Sequence, residues 1–333
     1  MPPVPPGSLI LVTGGNGYIA GVTIQKLLAA GFRVRGTVRD ASRYDWMPSQ
    51  YGPNFSLVEI ADMAAPGAFD EAVKGVDGIA HIASPVVFVS DPQAVIVPAI
   101  QNAVGLLEAA AKEESVKSVV YTSSKAACVQ MEPNKPYHIT QSSYNEDSKA
   151  AWTLPVTADF ARAALNYCCA KTESEQRCFK WVQENKPHFT FNTVVPNVNF
   201  GTVTRPDKTG FISSSGILRF VWEGNLAVAA MFPPEWFVDV EDSALLHIAV
   251  LTQPDVQNER LFAFAGPFCY KEILEIFRKS LPERKFADDP EEVLDCGTVD
   301  NTRSVELLKR MGKENGFSSL EEAVRKWIPL MLK

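Results

Sequence analysis

Leu9-Ile-Leu-Val-Thr-Gly-Gly-Asn-Gly-Tyr-Ile-Ala20 joins a continuous apolar run to the start of an amphipathic pattern. The apolar run reads as a strand buried on both faces, the habit of parallel sheets. Beyond it, Ala20, Ile24, Leu27 and Leu28 share one helical face, and Gly31 is the stop signal. Between strand and helix, Gly14 lets the chain turn sharply and Gly17 lets the backbone approach a pyrophosphate with no Cβ in the way. Ala20 lets the helix pack closely on the strand. Open N–H groups at Asn16, Tyr18 and Ile19, with the positive end of the helix dipole, would then face the phosphates. Alone, Gly-x-x-Gly-x-x-Ala is a weak signal, and its place between a buried strand and a helix is what gives it weight.

Outward from this point, short β-rich runs alternate with helical patterns. Strands are expected at 33–38, 55–60, 78–82, 118–122 and 190–195, with helices at 95–112 and 159–183. That alternation predicts an α/β fold, a doubly wound parallel sheet of the Rossmann type. After Pro196 the regularity loosens into a polar, Gly- and Pro-punctuated stretch at 197–216. A strand-like 260–265 and further helices follow, one opening on the capping-box pattern Ser318-Ser-Leu-Glu321. The expected division is a dinucleotide-binding domain at 1–195 and a smaller α/β substrate lobe at 196–333, with some segments returning to the first. Ligands of such folds sit in the crevice at the carboxyl edge of the sheet.

The 333 residues are 46% hydrophobic and 21% charged, ordinary for a globular protein. At this length roughly three quarters of the unfolded surface can be buried, so neither disulfides nor a metal is needed for stability. A formal charge of −7 argues against nucleic acid or an anionic membrane as partner. Cys128, Cys168, Cys169, Cys178, Cys269 and Cys296 form no Cys-x-x-Cys or zinc spacing, and the histidines form no His-Glu-x-x-His, so no metal is expected. The N-terminal residues include no basic region, and no window approaches the ~20 apolar residues of a bilayer span. These features point to a reducing, soluble, cytoplasmic setting, and to a monomer or homodimer acting on a small molecule.

The second strand ends at Thr37-Val38-Arg39-Asp40. A carboxylate as the last strand residue would accept from a ribose 2′-hydroxyl and select NAD. Here Arg39, with Arg43 close behind, can pair with a 2′-phosphate, which favours NADPH/NADP+. Asp40 could either repel that phosphate or orient Arg39. Tyr167 and Lys171 lie one helical turn apart on the same face. A free tyrosine has a pKa near ~10, and a neighbouring ammonium lowers it toward the working range of a proton donor. Val119-Val-Tyr-Thr-Ser-Ser124 is a buried strand ending in hydroxyls, so Ser124 could hold a substrate carbonyl. His81 reads as a packing residue, and Cys168 and Cys169 as small helix-packing residues.

Together the residues resemble a known family. Thr13-Gly-Gly-Asn-Gly-Tyr-Ile-Ala20, His81-Ile-Ala-Ser-Pro85, Thr122-Ser-Ser124, Tyr167-x-x-x-Lys171, Pro196-x-x-x-Phe-Gly201 and Phe237-Val-Asp-Val-Glu-Asp242 look like the extended short-chain dehydrogenase/reductases. Within them the chain is most similar to plant dihydroflavonol and cinnamoyl-CoA reductases and to fungal NADPH-dependent aldehyde, ketone and methylglyoxal reductases. The resemblance implies Ser124, Tyr167 and Lys171 as the catalytic set, with Lys171 also on the nicotinamide ribose. It places Asp62 and Met63 beside the adenine and Ala83 along the central part of the cofactor. Pro196, Val198, Ser213, Ser214 and Ser215 would approach the nicotinamide and pyrophosphate. The chain departs from the pattern in three places. Cys128 and Val129 stand where flavonoid reducers carry an Asn, Asn102-Ala-Val-Gly105 replaces Gly-Thr-x-Asn, and Gln141-Ser-Ser-Tyr144 is expected to reshape the substrate entrance.

The expected activity is NADPH-dependent reduction of an aldehyde or ketone by hydride transfer, with Tyr167 as proton donor. Val86, Val87, Phe88, Val129, Met131, Phe200, Phe220 and Trp222 are the candidate apolar walls of the substrate pocket. The alternatives are a nucleotide-sugar epimerase or dehydratase of the same fold, and a non-catalytic NADPH-binding regulator.

Overall fold

The computed structural model describes residues 4–84, 89–130 and 135–332. Val86, Val87, Phe88 and Met131 of the expected pocket lie outside them. The first part alternates as its periodicity requires: β1 (Leu9–Val12), α1 (Tyr18–Ala29), β2 (Arg33–Val38), a short α2 (Trp46–Tyr51), β3 (Phe55–Glu59) and β4 (Gly78–His81). Next come α3 (Pro92–Ala111), β5 (Ser118–Thr122), a two-residue β6 (His138–Ile139), α4 (Phe160–Asn185) and β7 (Thr190–Pro196). The remainder holds β8 (Val198–Phe200), α5 (Pro206–Thr209), α6 (Ser215–Trp222), α7 (Leu226–Ala229), β9 (Trp236–Asp239) and α8 (Val240–Thr252). It ends with β10 (Arg260–Ala263), β11 (Gly266–Pro267), α9 (Tyr270–Ser280), β12 (Thr298–Val299), α10 (Thr302–Arg310) and α11 (Leu320–Trp327).

The main sheet is seven-stranded and parallel, in the order β10-β7-β5-β4-β1-β2-β3. Its apolar runs are explained by what covers each face. Ile10 and Val12 pack with Ile24 and Leu27 of α1 and Leu246 and Val250 of α8. Leu11 points the other way, with Ile79 and Val119, into a cluster with Leu106 and Ala110 of α3 and Cys178 of α4. With both faces covered, alternation of polar and apolar residues has no use. The strand order reverses between β1 and β4, the point at which folds of this kind take their ligands.

Three expectations are corrected. The strand expected at 260–265 ends at Ala263 and is not part of the lobe: Arg260 pairs with Thr193 and Ala263 with Pro196, making β10 the seventh strand of the main sheet. The capping box at the last helix is shifted by one residue. Ser319 accepts from Glu322 N–H at 3.2 Å while Glu322 reaches back to Ser319 N–H at 2.7 Å. Ser-Ser-Leu-Glu-Glu offers two registers, and Ser318 is taken by Asp242, which accepts its N–H at 2.6 Å. Finally, α3 is long and apolar enough to cross a bilayer by length and composition. Half of it is buried, and its apolarity follows from packing on the sheet and against α4.

The lobe carries its own core and a three-stranded sheet, β11-β9-β8. Trp222 stands edge-on to Phe277 and Trp327, and Phe277 stacks on Trp327. Phe200, fully buried, stands edge-on to Phe268 and near Phe237. Phe200 and Trp222, expected in the pocket wall, are therefore core residues whose faces are filled by other rings. Phe237-Val-Asp-Val-Glu-Asp242 is the joint between lobe and sheet. Asp239 caps α8 by accepting Glu241 N–H at 2.9 Å and pairs with Lys326 at 2.7 Å, and Glu241 pairs with Lys26 of α1 at 2.6 Å.

Trp327 is fully buried and its ring N–H has no hydrogen-bond partner, so truncation removes packing alone. Trp327→Ala is expected to cost about 3–5 kcal/mol, read as a lowered midpoint in urea unfolding followed by circular dichroism.

Candidate active site

The loop after β1 is built as an anion cradle. Gly14 has φ +67°, and a Cβ there would lie 3.0 Å from the Cβ of Ala83. Gly17 is the N-cap of α1, so no side chain caps the first turn, and that turn holds no acidic residue. Its N–H groups are left for an anion. Thr13 locks the neighbouring loop: its hydroxyl accepts from Ile82 and Ala83 N–H at 3.0 Å and contacts His81 Nδ1 at 2.8 Å. His81 is held neutral, its pKa pushed down to about 3 by burial and by the charge of Lys171. Asn102, buried on α3, donates to Ala83 O at 3.4 Å, and its amide oxygen has no partner among the described residues. A cradle that a Cβ would crowd, beside a buried unpaired acceptor, fits a dinucleotide.

Asn16 donates to Tyr44 Oη at 2.9 Å, tying the cradle to the turn that follows β2. That turn, Ala41–Tyr44, carries Arg43, and Arg39 precedes it; both are exposed. Asp40 is engaged locally. Its carboxylate caps the turn, accepting from Ser42 N–H at 3.0 Å and Ser42 Oγ at 2.6 Å. Asp62 and Met63 follow β3, the strand beside β2, and Asp62 accepts from Ala64 N–H at 2.9 Å. Tyr18 is turned away from the crevice: its hydroxyl donates to Gly201 O at 3.2 Å, leaving only its backbone for a phosphate. Ile19 is half-buried and packs against the lobe core. On the lobe side, Ser214 donates to Asn199 O at 2.7 Å, and Ser213 adopts φ +55° just before α6. The Ser214 bond ties the start of α6 to β8, which begins at Val198, two residues after Pro196 at the end of β7.

The catalytic candidates converge at the ends of β5 and β7. Ser124 follows β5 and caps the next turn, accepting from Ala126 N–H at 3.2 Å. Its hydroxyl hydrogen-bonds the phenol of Tyr167. Lys171, one turn further along α4, is 4% exposed and donates to Thr122 O at 2.9 Å. His247 fixes Thr122 from below: its Nδ1–H donates to Ser243 O at 2.7 Å, so Nε2 accepts from the Thr122 hydroxyl, also at 2.7 Å.

The expectation that Lys171 acidifies Tyr167 is not met in the protein without ligands. Burial pushes Tyr167 up to about 12, with the Ser124 hydrogen bond working in the opposite direction. The ammonium is turned to the Thr122 carbonyl instead. Burial also pulls Lys171 down to about 8, while Glu175 works to raise it. At neutral pH the site holds a protonated phenol beside a charged lysine. Cys168 and Cys169 are pushed up to about 12, mainly by burial, and are not thiolates.

Beneath this set lies a buried ion pair that sequence reasoning missed. Glu175, one turn beyond Lys171, accepts from Ser123 at 2.9 Å and Thr193 at 2.7 Å. Arg260 grips it bidentately, Nε at 3.0 Å and Nη2 at 2.9 Å. Arg260 also donates to Gln141 O at 3.0 Å and Ser143 O at 2.6 Å, and its guanidinium lies 4.0 Å from the Tyr144 ring centroid. Gln141-Ser-Ser-Tyr144 is thus held by Arg260. The signal for Glu175 was present: Tyr167, Lys171 and Glu175 share one helical stripe. Nothing local pointed to Arg260. Of the expected pocket walls among the described residues, Val129 and Phe220 are half-buried.

Two outcomes follow from the ion pair and the lysine. Glu175→Gln leaves Arg260 buried and unpaired and is expected to cost about 3–5 kcal/mol in urea unfolding, with Glu175→Gln/Arg260→Met recovering much of it. For Lys171, the folded pKa of about 8 lies below the unfolded value. The cost of its buried charge is fully present below pH 8 and is relieved as pH rises toward about 10.4. The stability of the native chain relative to Lys171→Met should therefore rise over that window, as read by urea midpoints at each pH.

Residues 10–262 match the NAD dependent epimerase/dehydratase family. The chain is 38% identical to aldehyde reductase 2 of Sporidiobolus salmonicolor, over 97% of this chain and 95% of that protein. It is 33% identical to ketoreductase nvfG of Aspergillus novofumigatus, over 96% of each. The crystal structure of Gre2 from Candida albicans in complex with NADPH superposes with a TM-score of 0.82 at 25% identity, covering 98% of both chains. With most of its length matched in this way, the chain belongs to the NAD dependent epimerase/dehydratase family, the extended short-chain dehydrogenase/reductases.

Proposed function

We propose that the protein is an NADPH-dependent reductase of aldehydes or ketones. The observation that carries this reading is the Ser124–Tyr167 hydrogen bond at the carboxyl edge of the sheet, with the Lys171 ammonium one helical turn away. Its relatives named aldehyde reductase and ketoreductase, and the NADPH complex of a similar structure, support the same class. Bound NADPH supplies the hydride that adds to the carbonyl carbon. Ser124 donates a hydrogen bond to the carbonyl oxygen, and Tyr167 gives that oxygen its phenolic proton. The phenolate left behind is stabilised by the Ser124 hydroxyl and by the charge of Lys171. Tyr167, raised to about 12, is fully protonated at neutral pH, the state a donor requires.

Arg39 and Arg43 hold the 2′-phosphate of the cofactor, while Gly14, Asn16, Gly17 and the backbone of Tyr18 and Ile19 line its pyrophosphate. Asn102 takes a place along the cofactor beside Ala83. Val129 and Phe220 contribute apolar surface on the substrate side, favouring a carbonyl with an apolar substituent. A reducing, cytoplasmic setting agrees with Cys128, Cys168, Cys169 and Cys178, all buried and unpaired.

Turnover tests the reading. Purified protein should oxidise NADPH when given aliphatic or aromatic aldehydes and ketones, and Tyr167→Phe should lower kcat by about 10²- to 10⁴-fold. Equal rates in the Phe variant would remove Tyr167 from the chemistry. Arg39→Ala should weaken NADPH binding by about 10- to 100-fold while leaving NADH nearly unchanged, measured by fluorescence titration. Tightly retained NAD in the purified protein, with no carbonyl turnover, would favour epimerase or dehydratase chemistry instead.

A further inference from the structure

Glu235 lies just before β9 and is 6% exposed. Its carbonyl accepts from Phe268 N–H at 2.8 Å, so the backbone is held within the lobe. Its side chain leaves the lobe. The carboxylate lies 3.2 Å from Nζ of Lys125, and the two side chains are 5% and 8% exposed, lysine first. Lys125 directly follows Ser124 and opens the turn Lys125–Ala127 that Ser124 caps. The other face of the ammonium meets the Tyr137 ring, 5.2 Å from its centroid. One charge is therefore fixed to the lobe and its partner to the turn that carries the serine.

A buried ion pair contributes little to stability that apolar residues of similar volume could not supply. What it adds is orientation: a displaced partner leaves a buried charge unmatched, so the two segments keep one relative setting. We propose that Glu235 is a positioning residue, tying the Ser124 turn through Lys125 to the substrate lobe, so that the hydroxyl pair of Ser124 and Tyr167 is set for a carbonyl only while the lobe is seated. This rests on the catalytic reading of Ser124 and Tyr167 given above.

The electrostatics agree with that placement. Among the groups that act on the Tyr167 phenol are Cys168 on its own helix and Glu235 from the lobe, with the Ser124 hydroxyl hydrogen-bonded to it from the β5 side; Tyr121 of β5 lies close enough to be coupled to it. Glu235 raises Tyr167 and also raises Cys168, on which Lys125 acts in the opposite sense. The carboxylate is thus close enough for its field to be felt at the phenol as well as at the serine turn.

The experiment compares Glu235→Gln, Lys125→Met and Lys125→Met/Glu235→Gln with the native chain. The readouts are NADPH affinity, steady-state carbonyl reduction, and the pH dependence of the reverse alcohol oxidation. Glu235→Gln should lower kcat by about tenfold to hundredfold, with NADPH affinity within about twofold because no cofactor contact is touched. In alcohol oxidation, where the phenol must lose its proton, the rising limb should move to lower pH, since a charge that raised Tyr167 is gone. The double variant should be no worse than the poorer single one, because both remove the same tie. If Glu235→Gln fails to fold, the double variant, with no unpaired charge, carries the test and should show the same loss of kcat. Native kcat and an unmoved limb in either variant would overturn the proposal. Tyr167→Phe, assayed alongside, separates the two readings: an active Phe variant overturns the catalytic reading itself, whereas an inactive one beside an unaffected Glu235→Gln overturns only the role of Glu235.

Discussion

The candidate active site depends on one stripe of α4 that buries Tyr167, Lys171 and Glu175 against the carboxyl end of the sheet. A lysine and a glutamate removed from water are costly unless each meets a partner of matching geometry. Glu175 meets the Arg260 fork, Ser123 and Thr193, which use both carboxylate oxygens. Lys171 meets the Thr122 carbonyl, the face of the Tyr121 ring at 5.3 Å from its centroid and the more distant charge of Glu175. The arrangement therefore keeps the glutamate fully occupied and the lysine only partly so, and an incompletely satisfied ammonium is what a site needs to engage a further group. Arg260 in turn holds Gln141, Ser143 and Tyr144, so one guanidinium on the edge strand fixes both the helix and the loop that border the crevice.

The features legible in the sequence were those whose cause is local. The glycine cradle, the strands and the Tyr-Lys spacing each follow from backbone sterics or period, and the structure places all of them within a residue or two of expectation. Long-range features were not legible. Arg260 and Glu175 are 85 residues apart in sequence and meet only because β10 returns to pair with β7. The same return is one of the segments after residue 195 that come back to the first part of the chain. Phe200 and Trp222 were misread because an aromatic residue near a crevice looks the same in sequence whether it lines the opening or fills the core behind it. The capping box was read one residue early because the choice between two serines was made by Asp242, 76 residues away from Ser318 in sequence.

The lobe and sheet are joined by charge as well as by packing. Asp239 and Glu241 bridge to Lys326 and Lys26, and Glu235 reaches Lys125 from the segment just before. The segment 235–242 thus carries acidic side chains whose partners lie on three different elements. Gly201 belongs to the same joint, since a Cβ there would come within 2.8 Å of Asp239 Oδ1 at a φ of +114°. Such a joint fixes how the lobe faces the crevice while leaving the loops that meet substrate open to change.

The protonation states in the site also follow from burial. A tyrosine whose neighbour is a lysine suggests an acidified phenol, yet in the ligand-free chain desolvation outweighs any such effect and holds Tyr167 at about 12. A phenol in that state is fully protonated at neutral pH. Lys171, at about 8, remains mostly charged there, so positive charge is already in place when the proton departs. The carboxylate of Glu235 adds to the pull that keeps the phenolic proton in place.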